Sequence, residues 1–379
     1  MKKILLINPW GVKNDEFYTS GLTTALSKVH KLDLATNFHY EGARPNGTLY
    51  PIFFKTTETM GNGIARKLYR GVEYVRAYQK LLRVIKRGKY DYVHIQWLLM
   101  YRMDQIFLKK IKKLNTKIVL TAHNALPHVD GERFVDQLRE IYHTVDVILV
   151  HGEAIKEELL AVFPELEDKI LIQPHGAVLN RKAVVDQYEL PAEIAQKIEG
   201  KELYIMFGNQ FFNKGTDRLL RIWREEYLGD PTKLLIIAGR RTNAYPELEE
   251  ELAKLSERDN VLVLNGYIPE ELLDCLMQRS QAILLPYRHA SMSGVVFTAA
   301  EYQRMVLTTR SGAICEYLEN GSDSIVVENS DRDFAAGLRE LMALSPEERV
   351  ARGMRLYQNI NTKYSWESIV RLLCETVYL

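Results

Sequence analysis

The chain has 379 residues, of which 46% are apolar types and 26% are charged. This length and composition allow two ordinary domains with buried cores, and they exclude a disulfide-stapled miniprotein, a fibrous protein and a mainly disordered chain. The formal net charge of +1 does not point to nucleic acid, and the three cysteines, which have no CxxC spacing, argue against a zinc site.

The first half of the chain alternates short apolar strands with longer helical stretches. Because the strands are nearly continuous runs of Ile, Leu and Val, the pattern predicts a parallel sheet covered by helices on both faces. The predicted strands are Lys3–Ile7, Leu32–Thr36, Asp91–Gln96, Lys117–Thr121, Asp146–Val150 and Lys169–Ile172. The predicted helices lie near 20–28, 65–88, 102–113, 131–143 and 153–161.

The same alternation starts again in the second half. Two such runs of similar length predict an α/β fold with two tandem Rossmann-like, doubly wound domains. The alternation is lost within 177–200, so we expect a first domain over 1–180 and a second over 181–362, facing each other across a cleft. The six strands predicted in the second half are 203–207, 234–239, 261–266, 282–287, 305–309 and 324–327.

Open parallel sheets bind ligands beyond the carboxyl ends of their strands, so residues that follow strands are the first candidates for a site. Lys214 stands between strand 203–207 and the next predicted helix. An amine in that place can meet an anionic oxygen as a point charge. The alternative is a solvated lysine in a loop.

A second candidate site follows strand 282–287, where a helix is predicted to open at Ser293-Gly294. A glycine lets a ligand approach the backbone, and the amides of 293–296 (Ser293, Gly294, Val295 and Val296) would form an anion site at the helix N-terminus. Glu301 lies eight residues beyond Ser293, about 12 Å along a helix. A carboxylate there can accept two hydrogen bonds from a ribose diol, although a surface glutamate is the alternative.

Polar residues also end the strands of the first half, in the segments HIQW, TAHN, VHGE and QPHG. His123 directly follows strand Lys117–Thr121 and its flanking alanine, where an imidazole can bind a sugar hydroxyl or a phosphate or act as a base. The alternative is a structural histidine. These residues sit on different strands without HxxxH or DxD spacing, so we expect no metal site.

Together these residues resemble the family-4 retaining glycosyltransferases, group 1 enzymes of the GT-B fold, over essentially the whole chain. Their order and spacing carry the resemblance rather than any single motif, and a Ser-Gly at 293–294 is similar to some bacterial polysaccharide-assembly members. The matching segments are Asn8-Pro9-Trp10-Gly11 with Ser20-Gly21, His123, Lys214-Gly215, Gly266-Tyr267-Ile268, Ser293 to Glu301, and Tyr364-Ser365-Trp366-Glu367.

The resemblance implies a donor that is a nucleotide-diphosphate sugar, such as a UDP- or GDP-sugar, with no cofactor and no metal. Glu301 would hold the ribose, the backbone at Ile268 the base, and Lys214 with the 293–296 amides the diphosphate. His123 would approach the donor sugar, and Gly11 belongs to the family's glycine-rich first loop. The resemblance also implies that a final helix over 363–379 packs on the first domain, and that transfer proceeds by front-face displacement without a protein nucleophile.

The chain departs from the family's pattern in two places. Ser293 stands where the family has the first Glu of Glu-x7-Glu, and Asn209 stands where the family commonly has an arginine. The first change puts the donor-sugar contacts in doubt, and the second removes a cation from the diphosphate site. The arginines that could compensate are Arg240, Arg241 and Arg288.

Residues 60–120 carry 15 basic and 3 acidic residues. In 65–89, apolar residues recur at helical spacing among arginines and lysines, which is typical of a helix lying on an anionic membrane. The region 65–117 is therefore predicted to contact the membrane; the alternative is a core-packing helix with a solvated basic face. The apolar residues are Leu68, Val72, Val75, Tyr78, Leu82 and Ile85.

The sequence thus predicts a cytoplasmic, metal-independent glycosyltransferase that builds a surface polysaccharide from a glycan or lipid-linked acceptor at the inner face of the membrane. No apolar stretch approaches the roughly 20 residues needed to span a bilayer, and no nucleic-acid motif accompanies the basic region. A non-catalytic sugar-nucleotide binding protein and a nucleotide-sugar epimerase are the alternatives.

Overall fold

The computed structural model describes residues 1–12, 14–127, 131–177, 188–241, 245–256, 259–290 and 292–379. The chain divides into two compact units, one made of Met1–Val178 with Tyr364–Leu379 and the other of Leu179–Lys363. The expected domain boundary at 180/181 falls within 178–187, outside the described residues, and it stays a prediction.

The first unit contains a seven-stranded parallel sheet. Its strands lie in the order β3-β2-β1-β4-β5-β6-β7, so the order reverses between β1 and β4, as in doubly wound folds. The strands are β1 (Lys3–Asn8), β2 (Lys31–Asn37), β3 (Leu49–Phe53), β4 (Tyr92–Ile95), β5 (Lys117–Thr121), β6 (Val147–Val150) and β7 (Ile170–Ile172). The helices are α1 (Asn14–Val29), α2 (Ile64–Gly88), α3 (Tyr101–Lys112), α4 (Val135–Thr144) and α5 (Glu153–Val162).

Strand β3 is absent from the prediction, and its position explains why. It forms the edge of the sheet, and only Phe53 of its five residues is buried. It also contains Pro51, which cannot donate to a ladder and is tolerated in edge strands. A short edge strand therefore lacks the continuous apolar run that marked the central strands.

The second unit contains a six-stranded parallel sheet in the order β10-β9-β8-β11-β12-β13. All six predicted strands are present, which confirms the α/β class with two parallel sheets. The strands are β8 (Glu202–Phe207), β9 (Lys233–Ala238), β10 (Val261–Leu264), β11 (Ser280–Leu285), β12 (Met305–Thr309) and β13 (Ser324–Val327). The helices are α6 (Ala192–Ile198), α7 (Thr216–Glu226), α8 (Pro246–Ala253), α9 (Glu270–Arg279), α10 (Val295–Glu301), α11 (Asp331–Ala343) and α12 (Pro346–Lys363).

The last helix, α13 (Trp366–Thr376), belongs to the first unit. The Ser365 hydroxyl caps it by accepting the amide of Ser368 at 3.3 Å, which satisfies one of the helix's unpaired first-turn donors. Its buried face packs with α1 and β1 in one hydrophobic cluster, so the amphipathic pattern of the C-terminus is explained by burial. The residues of that face are Trp366, Ile369, Val370, Leu373 and Val377.

Throughout the described parts of the chain, every helix is either too short or too polar to cross a membrane.

Candidate active site

In the second unit, the strand order reverses between β8 and β11. The helices that follow these two strands leave in opposite directions at such a point, which opens a crevice at the strands' carboxyl ends. The loop after β8 carries Asn209 and Lys214, and the loop after β11 carries Ser293 and Gly294. Four of the predicted site residues therefore meet at one crevice of this unit.

The loop after β8 is held by its own side chains. The Gln210 amide donates to the carbonyl of Gly208 at 2.7 Å and accepts the hydroxyl of Thr216. Gly215 then adopts a left-handed φ of 71°, and a Cβ there would overlap the carbonyl oxygen of Pro286. Only glycine allows this close approach, so the loop that carries Lys214 is pressed directly against the end of β11.

Lys214 and Ser293 are brought together by Tyr287, which sequence analysis did not identify. The Nζ of Lys214 lies 3.8 Å from the centre of the Tyr287 ring, a cation–π distance. The Tyr287 hydroxyl lies 3.3 Å from the Ser293 Oγ. Lys214 forms no ion pair with any described residue, so its charge is held in place without being neutralised.

The turn after β11 differs in detail from the prediction. Gly294 is the N-cap of α10 with an ordinary helical φ of −62°, and the space that a Cβ would occupy is open. The amide of Val296 donates to the carbonyl of Ser293 at 3.4 Å, so one of the four predicted amide donors already has a partner. Glu301 is the last residue of α10, at the opposite end of the helix from Gly294.

The structure distinguishes the three arginines that could replace the charge missing at Asn209. Arg288 donates two hydrogen bonds, of 2.7 and 2.6 Å, to the buried carboxylate of Asp217. Burial alone would raise the pKa of Asp217, but the hydrogen bonds from Arg288 and Tyr245 keep this pKa below its ordinary value. Arg288 is therefore committed to joining the loop after β11 to the first turn of α7.

The other two arginines follow β9. Arg241 pairs with Glu249 at 3.2 Å. Arg240 is exposed and pairs with no described carboxylate. Its carbonyl accepts the amide of Gln210 at 2.9 Å, which places Arg240 beside the loop after β8 that carries Asn209. Arg240 is thus the arginine of the three that remains available to an anion.

Ile268 lies on the loop after β10, on the far side of β9 from β8. Two backbone hydrogen bonds tie this loop to β9: Gly239 donates to Leu264 at 2.9 Å, and Gly266 donates to Gly239 at 3.4 Å. Tyr267, directly before Ile268, is 84% exposed. The loop thus offers both backbone and an aromatic face at the edge of the sheet.

In the first unit, the corresponding reversal between β1 and β4 is organised by Asn8. Its Oδ1 accepts the amides of Trp10 and Gly11 at 3.0 and 3.1 Å. Its amide donates to Thr19 at 2.6 Å and to Gln96 at 3.2 Å. The amide of Gly11 is therefore used within the turn. A ligand could meet Gly11 only through the remaining atoms of its backbone.

His123 stands in a cluster of aromatic rings at the carboxyl edge of the first sheet. Its ring stacks on Trp97 at 4.2 Å and meets the edge of Tyr18 at 5.2 Å. Its Nδ1 lies 2.9 Å from the Nε2 of His151. Tyr18 also contacts His151 and His175, at 5.7 and 4.8 Å. The sequence placed polar residues at these strand ends, but it did not predict that their rings form one cluster.

Burial keeps these imidazoles neutral. It lowers the pKa of His123 well below its usual range, and the neighbouring histidines add to the effect. Burial likewise lowers the pKa of His151 to about 4 and that of His175 to about 3. The Nε2 of His123 is buried and has no partner with hydrogen-bond geometry among the described residues. Neutral imidazoles accept hydrogen bonds from hydroxyl groups rather than pairing with anions.

Nowhere in the described residues do three or more His, Cys, Asp or Glu side chains come together as a metal site would require. The four strand-end histidines of the first unit, His94, His123, His151 and His175, instead bind one another, aromatic rings and neutral partners.

Comparisons with known proteins identify a family for each of the two halves of the chain. The family described as Glycosyltransferase Family 4 matches residues 19–181, and Glycosyl transferases group 1 matches residues 201–343. YtcC of Bacillus subtilis is 22% identical over 293 residues, which are 72% of this chain and 70% of YtcC. A GDP-mannose:glycolipid 4-beta-D-mannosyltransferase of Xanthomonas campestris is 23% identical over 68% of this chain and 73% of its own.

Among solved structures, HepE of Anabaena in complex with UDP and glucose superposes with a TM-score of 0.71 at 12% identity and covers 100% of both chains. At that identity the likeness shows the fold alone.

Proposed function

The chain belongs to the group 1 glycosyltransferases of the GT-B fold, and we propose that it transfers a sugar from a nucleotide-diphosphate donor, with retention, to a glycan or lipid-linked glycan. The acceptor hydroxyl forms the new bond to the anomeric carbon while the bond from that carbon to the phosphate oxygen breaks. The acceptor's proton passes to the leaving phosphate, so no protein nucleophile is needed. A role in cell-surface polysaccharide synthesis on the cytoplasmic side of the membrane is part of the proposal.

The observation that carries the proposal is the uncompensated charge of Lys214 at the reversal of the second sheet. Its amine rests on the Tyr287 ring 3.8 Å away and pairs with no described carboxylate. A diphosphate leaving group gains negative charge as it departs, and a fixed cation stabilises that charge most where water is excluded. The open backbone at Gly294 lies on the neighbouring loop, where a phosphate oxygen could approach.

The remaining roles follow from the family. Glu301 would bind the ribose diol, and the backbone at Ile268 would meet the base. UDP is the nucleotide bound in the HepE structure, and the Xanthomonas relative is named for GDP-mannose. We therefore propose UDP- or GDP-sugars as donors. His123 would meet the donor sugar, because its buried Nε2 has no partner with hydrogen-bond geometry in the described part of the chain, and a sugar hydroxyl would supply one.

The test is donor turnover by purified protein against a panel of UDP- and GDP-sugars, measured as release of UDP or GDP. Lys214→Ala and Glu301→Ala should each lower kcat/KM by about 100-fold, because each removes a charged contact to the donor. His123→Ala should lower kcat more than it weakens nucleotide affinity. Nucleotide affinity is measured by calorimetry.

The matched control is Lys254→Ala, which removes a lysine of the same unit that already pairs with Glu251, at 2.6 Å. It should turn over donors at the wild-type rate. Near-normal turnover in both Lys214→Ala and Glu301→Ala would remove the site assignment. Loss of nucleotide affinity in His123→Ala would move His123 from the sugar to the nucleotide.

We further propose that α2 rests on an anionic membrane surface, where a lipid-linked acceptor would be found. The structure divides the predicted apolar stripe: Tyr78 and Ile85 are buried, whereas Leu68 and Val72 are 71% and 43% exposed. The exposed side chains recur every four residues and change from apolar to basic along the helix. They are Ile64, Leu68, Val72, Arg76 and Lys80.

An apolar end followed by cations on one helix face suits insertion between anionic headgroups. The double substitution Leu68→Ser and Val72→Ser should reduce co-sedimentation with phosphatidylglycerol vesicles severalfold. The control is the same change at Val350 and Met354, an exposed apolar pair with the same spacing on α12. Equal binding of both variants, or equal binding to phosphatidylcholine vesicles, would contradict this part of the proposal.

A further inference from the structure

The hydrogen bonds around His151 determine where the hydrogens of two imidazoles lie. The Nδ1 of His151 is 2.9 Å from the backbone carbonyl oxygen of Gln173. A carbonyl oxygen can only accept, so the Nδ1 of His151 must carry a hydrogen. His151 is 1% exposed, and burial lowers its pKa to about 4, which leaves the ring neutral near pH 7.

The position of this hydrogen on His151 also determines the tautomer of His123. A neutral imidazole with a hydrogen on Nδ1 has a lone pair on Nε2, so the Nε2 of His151 accepts a hydrogen bond. Its partner 2.9 Å away is the Nδ1 of His123, which must therefore donate. His123 then has its hydrogen on Nδ1 and a lone pair on Nε2. The opposite tautomer would set two lone pairs against each other between the rings.

We propose that His151 is a positioning residue, which fixes His123 in the tautomer that presents the Nε2 lone pair to the donor sugar. The group of the sugar that meets His123 is consequently a hydrogen-bond donor, a hydroxyl or an amide N–H, and not a carboxylate. This step rests on the proposed function, because it takes His123 to touch the sugar.

Neighbouring rings fix the direction of that lone pair. The His123 ring lies nearly parallel to Trp97, with 8° between their planes, and Tyr18 meets it edge-on at 73°. Rotation of the imidazole about its bond to the chain would break both contacts as well as the hydrogen bond to His151. The buried Nε2 has no partner with hydrogen-bond geometry among the described residues, although the Gln96 backbone lies near enough to His123 to raise its pKa slightly against the effect of burial. A buried polar atom that lacks a partner is costly, so this nitrogen is a preformed acceptor.

The first test reads the tautomer directly and needs no activity. Two-bond proton–nitrogen NMR spectra of protein labelled with nitrogen-15 at histidine should show His123 protonated at Nδ1 and unprotonated at Nε2 at pH 7. Protonation at Nε2, as a hydrogen bond to the nearby Gln96 backbone would require, would overturn the proposal. This measurement does not depend on turnover, so a failed tautomer assignment can be distinguished from a failure of the proposed function.

Variants of His151 supply the second test. His151→Phe keeps a ring but removes the acceptor, so His123 should become a mixture of tautomers and kcat/KM for the donor should fall about tenfold. His151→Gln keeps an acceptor oxygen and a donor amide on one head group, so it should hold the wild-type tautomer and stay within about threefold of wild-type activity.

The control for these variants is His94→Phe, the same change at a buried histidine bound to Tyr378 and Thr121, which should leave the His123 tautomer unchanged. Thermal melting identifies any variant that fails to fold. A wild-type tautomer in folded His151→Phe, or an equal loss of activity in His151→Gln and His151→Phe, would show that His151 only fills space.

Discussion

The two parallel sheets reverse their strand order in the same way, yet their carboxyl edges carry different chemistry. The edge of the first sheet is lined by buried neutral imidazoles and aromatic rings around His123. The edge of the second sheet offers bare glycine backbone and cations, Lys214 and Arg240. Of the nine histidines in the chain, His289 alone falls within 179–363.

The donor that we propose has two chemically different halves. A sugar is neutral and rich in hydroxyls, so acceptor nitrogens and aromatic faces suit it without charge. A diphosphate is anionic and needs cations and amide donors. The same layered fold can therefore carry different chemistry at the edges of its two sheets, and the side chains at the strand ends are the variable part.

The largest effect is expected from the glycine backbone of the second edge. Gly239 has a φ of 145°, and a Cβ there would overlap the carbonyl of Gly208, a backbone atom that cannot rotate away. Gly239→Ala should therefore lower the free energy of unfolding by about 3 kcal/mol, as measured by urea denaturation, and abolish nucleotide binding.

The comparable glycine of the first edge provides the contrast. At Gly11, with a φ of 46°, the Cβ would overlap the side-chain hydroxyl of Thr36, which can change rotamer. Gly11→Ala should cost about 1 to 2 kcal/mol. A cost as large as that of Gly239→Ala would show that both edges depend equally on glycine backbone.

The next prediction is that lowering the pH destabilises the first unit through the buried histidines at the edge of its sheet. Burial holds the pKa of His94 at about 3 and that of His151 at about 4, below the value near 6.5 of an unfolded chain. The unfolded chain therefore binds more protons as the pH falls below 6.5, so stability is lost from there down to pH 4. Between pH 7 and 5 each of these two histidines should cost about 2 kcal/mol.

One group in the first unit opposes this loss. Burial raises the pKa of Asp104 to about 6, so the folded state takes up a proton first and regains about 1 kcal/mol by pH 5. The lowered pKa values of His175 and His123 add to the loss, so hydrogen exchange in a urea series should show a net loss of several kcal/mol in 1–177. The described parts of 188–363 should change by less than about 1 kcal/mol, and an equal loss in both would contradict the contrast between the edges.

A third prediction separates the arginines after β9. Arg240 is free of described carboxylates, whereas Arg241 pairs with Glu249. Arg240→Ala should weaken binding of UDP or GDP about tenfold, the loss of one charge-assisted contact. Arg241→Ala should weaken it less than threefold. Calorimetry at two salt concentrations measures both, and the reverse order would assign the missing charge to Arg241.

The sequence was sufficient to predict the two sheets and the helices that cover them. It was not sufficient to predict which side chains contact one another. Central strands such as β8 and β11 are continuous apolar runs because both their faces are buried, whereas the edge strand β3 gives no such signal. Lys214 was identifiable because it follows a strand. Tyr287 beneath it was not, because the contact joins two loops that meet only in the folded sheet. Likewise, no feature of the sequence around Arg288 indicates that this arginine pairs with Asp217.

The smallest effect separates the two parts of Tyr287. Its ring carries the Lys214 amine, while its hydroxyl only approaches the Ser293 Oγ at 3.3 Å. Tyr287→Phe keeps the ring and should change nucleotide affinity by less than threefold. Tyr287→Leu removes the cation–π contact, which is worth about 0.5 to 1 kcal/mol, and should weaken nucleotide binding about fivefold. If Tyr287→Phe weakened binding as much as Tyr287→Leu, the hydroxyl and Ser293 would be the donor's contact, and the ring would merely fill space beneath Lys214.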